Sequence, residues 1–338
     1  MSKTVRLDDI AKQLNLTKVS VSKALRDHPD ISQETIKKVK LIAEELGYRP
    51  NRLAQSLTSR KTNTIGLVMP KIAHYFSASV VEGIYRAADE RGYQILLGVS
   101  FESEELQRKN IESMMNLRVD GLLVTVCDVM EDPSIFDEVK KMGIDLVFFD
   151  RGFVGSDVSF VKVADRISAM NGVNHLIKLG YKNIAHLAGK STTEIGRERC
   201  AGYKDALMHA GIEVKDEAIV QGGFSSQDGY KGFSKLVEQH GLPEAVFVVT
   251  YPVGLGVLEY LKDHNIPGDR VQILAFGTSQ FNQYLTHPFI CIDQPSFDLG
   301  RRAFEVLLEE MQSNKKNKQS KIIEMACNVI DDTQVSVQ

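Results

Sequence analysis

Apolar residues recur at Leu7, Ile10, Ala11 and Leu14, the spacing of one helical face. Asn15 follows, a residue that tolerates the left-handed backbone of a tight turn, and Leu16 is placed to plug that turn. Thr17 stands where an N-cap is needed, its hydroxyl available to the free amides of a second helix from Lys18 to about Leu25. Val21, Ala24 and Leu25 form the inward stripe of that helix, and Lys18, Val19, Ser22 and Lys23 point away. A third helix is predicted from the Ser32 cap to Leu46, packing through Ile36, Val39, Ile42, Ala43 and Leu46, with Gly47 closing it. After residue 63 the pattern changes to short apolar runs alternating with amphipathic stretches. Strands are predicted at 64–69, 94–99, 121–126, 145–149, 183–187, 245–249 and 272–276. Helices are predicted at 78–91, 104–117, 133–142, 165–179, 194–210, 226–238, 253–264 and 297–310. Such alternation predicts a doubly wound α/β body with a cleft at the carboxyl ends of its strands. Arg91-Gly92-Tyr93 and Leu179-Gly180-Tyr181 are similar helix ends, which suggests two comparable halves.

Helix, four-residue turn, helix is the helix-turn-helix layout, with the small Ala11 where the two helices cross. The second helix can then enter a major groove. Lys18 and Lys23 can reach guanine acceptors or phosphates, and Val19 can pack on a thymine methyl. Thr17, Ser20 and Ser22 are short donors suited to phosphate oxygens. Three amphipathic helices also describe protein-binding modules, so this pattern leaves both readings open.

Next comes Tyr48-Arg49-Pro50-Asn51-Arg52-Leu53-Ala54-Gln55-Ser56-Leu57. Pro50 stops regular structure. Asn51 can cap a short helix from Arg52 to about Leu57, too short to be stable alone in water. Two readings stand on the residues: Leu57 wedges between base pairs from the minor groove and kinks the duplex, or Leu53 and Leu57 pack on the third helix.

Charge is divided unevenly. Residues 1–60 carry 12 Lys+Arg against 7 Asp+Glu, and the remainder 29 against 37. A basic head on an acidic body points the head at a polyanion. Hydrophobic residues at 43% and charged residues at 25% are ordinary for a soluble globular protein. The N-terminus has no apolar signal-like region, and no stretch is long enough to span a bilayer, so a cytoplasmic protein with no membrane partner is expected. Cys127, Cys200, Cys291 and Cys327 are far apart and read as small apolar residues.

The head and tether resemble the LacI/GalR family of bacterial transcriptional regulators. The likeness is carried by Leu7-Asp8-Asp9-Ile10-Ala11, Val21-Ser22-Lys23-Ala24-Leu25, and Gly47-Tyr48-Arg49-Pro50-Asn51 through Ala54-Gln55-Ser56-Leu57, and it extends over essentially the whole chain. It implies an all-α helix-turn-helix head (1–48), a hinge helix and linker (49–62), and an α/β periplasmic-binding-protein-like core of two doubly wound subdomains (63–338). The first subdomain is expected at about 63–164 plus 295–330, the second at 165–294. It further implies a homodimer on double-stranded operator DNA, with Lys18, Val19 and Lys23 reading bases. The two hinge helices would pair in the minor groove, where Asn51, Arg52 and Ala54 flank the Leu57 wedge.

The same likeness places a small-molecule effector, expected to be a carbohydrate, on strand-to-helix loops. Phe76 would be an aromatic wall with Ser77 beside it, and Asp150-Arg151 would end a strand at the site. Arg199, three residues before Gly202, matches the family's ligand-binding arginine, whose fork suits a carboxylate, a phosphate or a pair of hydroxyls. Phe224 matches an aromatic that stacks on ligand. On the residues alone, Arg199 also reads as a helix-face salt bridge and Phe224 as core. Two positions depart from the family's pattern: Thr250-Tyr251 stand where it usually has Asn-Asp, and Gly277 stands where it has an aspartate. Those groups commonly grip sugar hydroxyls, so either the ligand is not a typical free monosaccharide or the site is degenerate; sugar stays the expected class, at a discount.

No Walker, zincin or nucleophile-elbow motif occurs, so neither an enzyme nor a cofactor is expected. Gly254-Leu255-Gly256 lacks the third glycine of a dinucleotide fingerprint and reads as helix packing. His74, His175, His186 and His209 read as surface or core histidines, and Lys315-Lys316-Asn317-Lys318 as a solvated loop. No leucine heptad follows residue 330, so no tetramer zipper is expected. A cleft enzyme of sugar or nucleotide metabolism and a solute-binding protein without DNA activity are the rival readings.

Overall fold

The computed structural model describes residues 5–48, 61–313 and 319–333. They fall into two compact units divided between Thr62 and Asn63.

The first unit holds α1 (Leu7–Leu14), α2 (Lys18–Ala24) and α3 (Gln33–Glu45). Its turns form as the residue types require. Asn15 adopts φ 50°, and the Leu16 amide donates to the Ala11 carbonyl at 2.9 Å. Thr17 Oγ1 accepts from the Ser20 amide, and Ser32 Oγ accepts from the Thr35 amide. Ile10, Val21, Ala24, Ile36 and Val39 make the core, and Leu16 packs against it. Full burial of an aliphatic side chain is worth roughly 1.5–3 kcal/mol, so a head this small depends on each of them.

The second unit contains two parallel-rich sheets. The first is built from β1 (Thr64–Met69), β2 (Gln94–Val99), β3 (Gly121–Val124), β4 (Asp145–Phe149), β5 (Ser159–Val163) and β11 (Ile322–Met325), in the order β11-β5-β4-β3-β1-β2. The second holds β6 (Ile184–Ala188), β7 (Ile219–Gln221), β8 (Ala245–Val248), β9 (Gln272–Phe276), β10 (Ile290–Asp293) and β12 (Asn328–Asp331), in the order β12-β10-β9-β8-β6-β7. The two orders match, strand for strand, and each reverses direction at the first strand of its sheet. Between them run α4 (Tyr75–Glu90), α5 (Glu104–Asn116), α6 (Ser134–Lys141), α7 (Asp165–Lys178), α8 (Glu194–His209), α9 (Ser226–His240), α10 (Tyr251–Asp263) and α11 (Ser296–Gln312). Helix α10 starts before the expected 253 because Thr250 is extended and Pro252 fits the first helical turn.

Five strands lay outside the expected set, for identifiable reasons. In β5, Lys162 interrupts an apolar run, yet it is buried, with its ammonium on Glu194. β7, β10, β11 and β12 are three or four residues long and end their sheets or lie next to the end. β12 also departs from the expected assignment of 295–330 to the first half: it pairs antiparallel with β10, Cys291 opposite Ile330. Glycines let α9 and α10 pack closely. A Cβ on Gly256 would lie 1.9 Å from the Ser226 carbonyl oxygen, and one on Gly229 would lie 2.1 Å from that of Val253. His186 is a core histidine, stacked 4.4 Å from the Phe247 ring, with Nδ1 2.9 Å from the Phe247 carbonyl and Nε2 unpartnered. Burial lowers its pKa to about 4.

Candidate functional site

On the head, the outward face of α2 is a polar strip around one bare apolar side chain. Val19 is 65% exposed and belongs to no core. The flanking lysines are held by acids: Lys18 Nζ lies 3.3 Å from Asp8, and Lys23 Nζ 2.7 Å from Asp30. The Lys23 hydrogen bond and charge hold the Asp30 carboxyl below its usual range. Arg26 donates from Nε to the Ser22 carbonyl and from Nη2 to its hydroxyl, while Thr17 and Ser20 share a 2.9 Å hydroxyl contact. These pairs are solvated and screened, so phosphates can replace the acids at small cost. Asp30 and Arg26 were not singled out from sequence, and the pairing of Asp8 with Lys18 depends on how α1 and α2 cross. Asn51, Arg52, Ala54 and Leu57, and the 315–318 run, lie outside the described residues.

In the second unit a cavity of about 560 Å³ opens at the carboxyl ends of the strands. All eight residues expected there line it: Phe76, Ser77, Asp150, Arg151, Arg199, Phe224, Thr250 and Gly277. The topology explains the gathering, because loops after β1, β4, β9 and β6–β8 all emerge on this edge.

Arg199 is 3% exposed, yet it faces the cavity. Nε donates to Asp165 at 2.7 Å, Nη1 to the Val249 carbonyl at 2.6 Å, and the guanidinium lies 3.5 Å from the Phe276 ring centroid. Nη2 has no protein hydrogen bond among the described residues. The arginine is thus a buried salt bridge whose guanidinium is fixed by its partners at the cavity wall. Asp150 is left-handed at φ 61° and meets Arg151 Nε at 4.0 Å. Burial raises its pKa to about 6, against the pull of Arg151. Its carboxyl lines the cavity with the Arg151 guanidinium 4.0 Å away.

Arg151 is committed elsewhere. It donates to Glu102 at 3.1 Å and to Asp128, and Asp128 also takes Lys190 Nζ at 3.2 Å. Lys190 follows β6 of the second sheet and Asp128 follows β3 of the first, so this chain of charges ties the two lobes beside the cavity. On another side Tyr75 and Phe281 meet edge to face, ring centroids 5.5 Å apart.

The departures at Thr250, Tyr251 and Gly277 form one rebuilt wall. Thr250 Oγ1 donates to the Phe224 carbonyl at 3.1 Å and so fixes that loop. Tyr251 turns its hydroxyl to Asn282 at 3.4 Å, and its ring packs 4.8 Å from that of Phe289. A Cβ on Gly277 would meet the Tyr251 Cβ at 2.7 Å. Tyr251, buried against Phe289 and over Gly277, forms this wall of the cavity.

Residues 6–51 match the family described as bacterial regulatory proteins, lacI family, and residues 62–332 match the periplasmic binding proteins and sugar binding domain of LacI family. The chain belongs to the LacI family. It is a DNA-binding transcriptional regulator with a periplasmic-binding-protein-like core. Among LacI-family relatives, catabolite control protein A of Priestia megaterium is 30% identical over 324 residues, 95% of this chain and 96% of that protein. The HTH-type transcriptional repressor CytR of Escherichia coli (strain K12) is 27% identical over 326 residues, 96% and 94% of the two chains. The Lac repressor dimer bound to operator and the anti-inducer ONPF shares the fold, with a TM-score of 0.84 at 22% identity, covering 98% of this chain and 99% of that one. No helix among the described residues is long and apolar enough to cross a membrane.

Proposed function

We propose that this LacI-family chain is a cytoplasmic homodimeric repressor, without enzymatic activity, whose grip on operator DNA is set by a small molecule in the cleft. Thr17, Lys18, Val19, Ser20, Ser22 and Lys23 would face the major groove. The segment 49–62 would become helical on the duplex, with Asn51, Arg52 and Ala54 in the minor groove and Leu57 wedged between base steps. Head, linker and core would divide at 48 and 62. Two heads on a two-fold axis would select a near-palindromic site. The effector would be a sugar or sugar derivative lying among Phe76, Ser77, Asp150, Arg151, Arg199, Phe224, Thr250 and Gly277, the reading the sugar-binding-domain match favours. Binding would favour one angle between the lobes, and with it one spacing of the tethers. A ligand needs only to prefer one of the two states.

The observation that carries this reading is Arg199: a buried, oriented guanidinium with one edge left for ligand, in a chain whose head exposes Val19 between two lysines. The test is selection of fragmented chromosomal DNA by the purified full-length chain, followed by sequencing. Enrichment of one near-palindromic motif, weakened by Leu57→Ala, is expected. Retention of chromosomal fragments no better than random duplexes would overturn the reading.

A further inference from the structure

One group in the cleft is absent from the expected set. Asp293 ends β10 and lines the cavity. Its carboxylate has no hydrogen bond or ion pair among the described residues, and burial raises its pKa above the usual carboxylate range. A half-buried acid without a donor is costly unless something else supplies one. Its location explains what that is. β10 lies beside β9, Ile292 opposite Phe276, and the Gly277 amide donates to the Ile292 carbonyl at 3.1 Å. Asp293 therefore stands one strand over from Gly277 on the same carboxyl edge. An acid cannot return at Gly277 without displacing Tyr251, since any Cβ there would be 2.7 Å from the tyrosine's own.

The wall that Tyr251 builds limits the ligand further. Phe281 lies 6.1 Å from Tyr251 and 5.5 Å from Tyr75, and Phe281 and Tyr75 remain 39% and 44% exposed while lining the cavity. These partly exposed rings line the same cavity as Asp293 and Asp150. A cavity of about 560 Å³ has room for two joined rings.

We propose that Asp293 replaces the acid missing at Gly277 as a hydroxyl-gripping carboxylate, and that its ligand is a sugar ring joined to a flat apolar group, as in an aryl glycoside or a nucleoside. This rests on the effector-cleft reading above. The sugar hydroxyls donate to Asp293 and Asp150, Arg199 Nη2 donates to a ring or hydroxyl oxygen, and the flat group lies against Tyr75 and Phe281. Asp293 is followed by Gln294, Pro295 and α11, whose Ser296 hydroxyl lies 2.8 Å from that of Ser79 in α4. Ligand held there pulls on the connection by which the chain leaves the second sheet for the first.

The test is calorimetric titration of the full-length chain with nitrophenyl β-glucoside, nitrophenyl β-galactoside, adenosine and uridine, each against its free sugar (glucose, galactose or ribose). At least one conjugate is expected to bind about tenfold or more tightly than its sugar, and which arm responds identifies the source. Asp293→Asn should weaken that binding about tenfold or more, the weight of one hydrogen bond to a charged group, while the ligand-free variant melts no lower than the wild type, since the substitution removes a desolvated charge. Free sugars binding as well as conjugates, no probe binding at all, or an Asp293→Asn variant with unchanged affinity would each overturn the proposal. If no probe binds while the chromosomal selection succeeds, this ligand assignment fails and the regulator reading stands. Failure of the selection sinks the regulator reading on its own.

Discussion

The head and the cleft both depend on charge, but they hold it differently. On α2, Lys18 and Lys23 pair with Asp8 and Asp30 in solvent. In the cleft, Arg199 and Asp165 pair at 3% and 4% exposure. Exposed pairs are weak, screened and exchangeable, which suits a surface that must trade protein carboxylates for phosphates. A buried pair is geometrically locked, and losing one partner strands the other in a poor solvent. The head therefore adjusts to its partner, while the cleft presents a shape made in advance.

Arg199→Ala should break the locked side hardest. It leaves Asp165 buried and unpaired, a loss of about 3–5 kcal/mol read by urea denaturation. A loss no larger than that of a surface pair would erase the contrast. A smaller effect comes from His186. Its folded pKa of about 4 lies below the ordinary 6.5, so the neutral ring's stabilisation is complete above pH 6.5 and is lost as pH falls toward 4. Unfolding free energy should drop by roughly 2 kcal/mol between pH 7 and pH 5, and His186→Phe, which keeps the stacking, should flatten that slope. The smallest stability effect belongs to the head. Lys23→Ala should leave the melting temperature unchanged, lower operator affinity about tenfold and reduce the salt slope by about one. Asp30→Asn, which releases Lys23, should leave stability unchanged and raise affinity most at low salt. A marked loss of stability in either variant would mean that these ions are structural after all.

Legibility followed the same division. The head could be read almost residue by residue, because Asn15, Thr17, Ser32 and Gly47 act through local backbone rules that need no partner. Helices of the core announced themselves through their amphipathic stretches, and the structure adds the caps Ser103, Thr193 and Ser225 at their starts. Short edge strands did not, and β5 was hidden by Lys162, whose ionic partner Glu194 lies 32 residues away in sequence. In the cleft, Arg199 and Phe224 were visible through resemblance, and the losses at Tyr251 and Gly277 were visible as departures. Their compensation was not. That Tyr251 fills the space over Gly277, that Arg151 is occupied by Glu102 and Asp128, and that Asp293 stands beside the gap are facts of strand adjacency, which no linear spacing encodes.

Control of the head by the cleft is what makes the proposed regulator a sensor. Its most direct test is the operator affinity of the full-length chain, on its selected chromosomal motif, titrated with the small-molecule fraction of a cell extract. The wild type should shift by about fivefold or more, and Arg199→Lys, which keeps the charge but loses the fork, should bind the same DNA without responding. An affinity that stays constant across the titration, or an Arg199→Lys variant that responds like the wild type, would contradict the account.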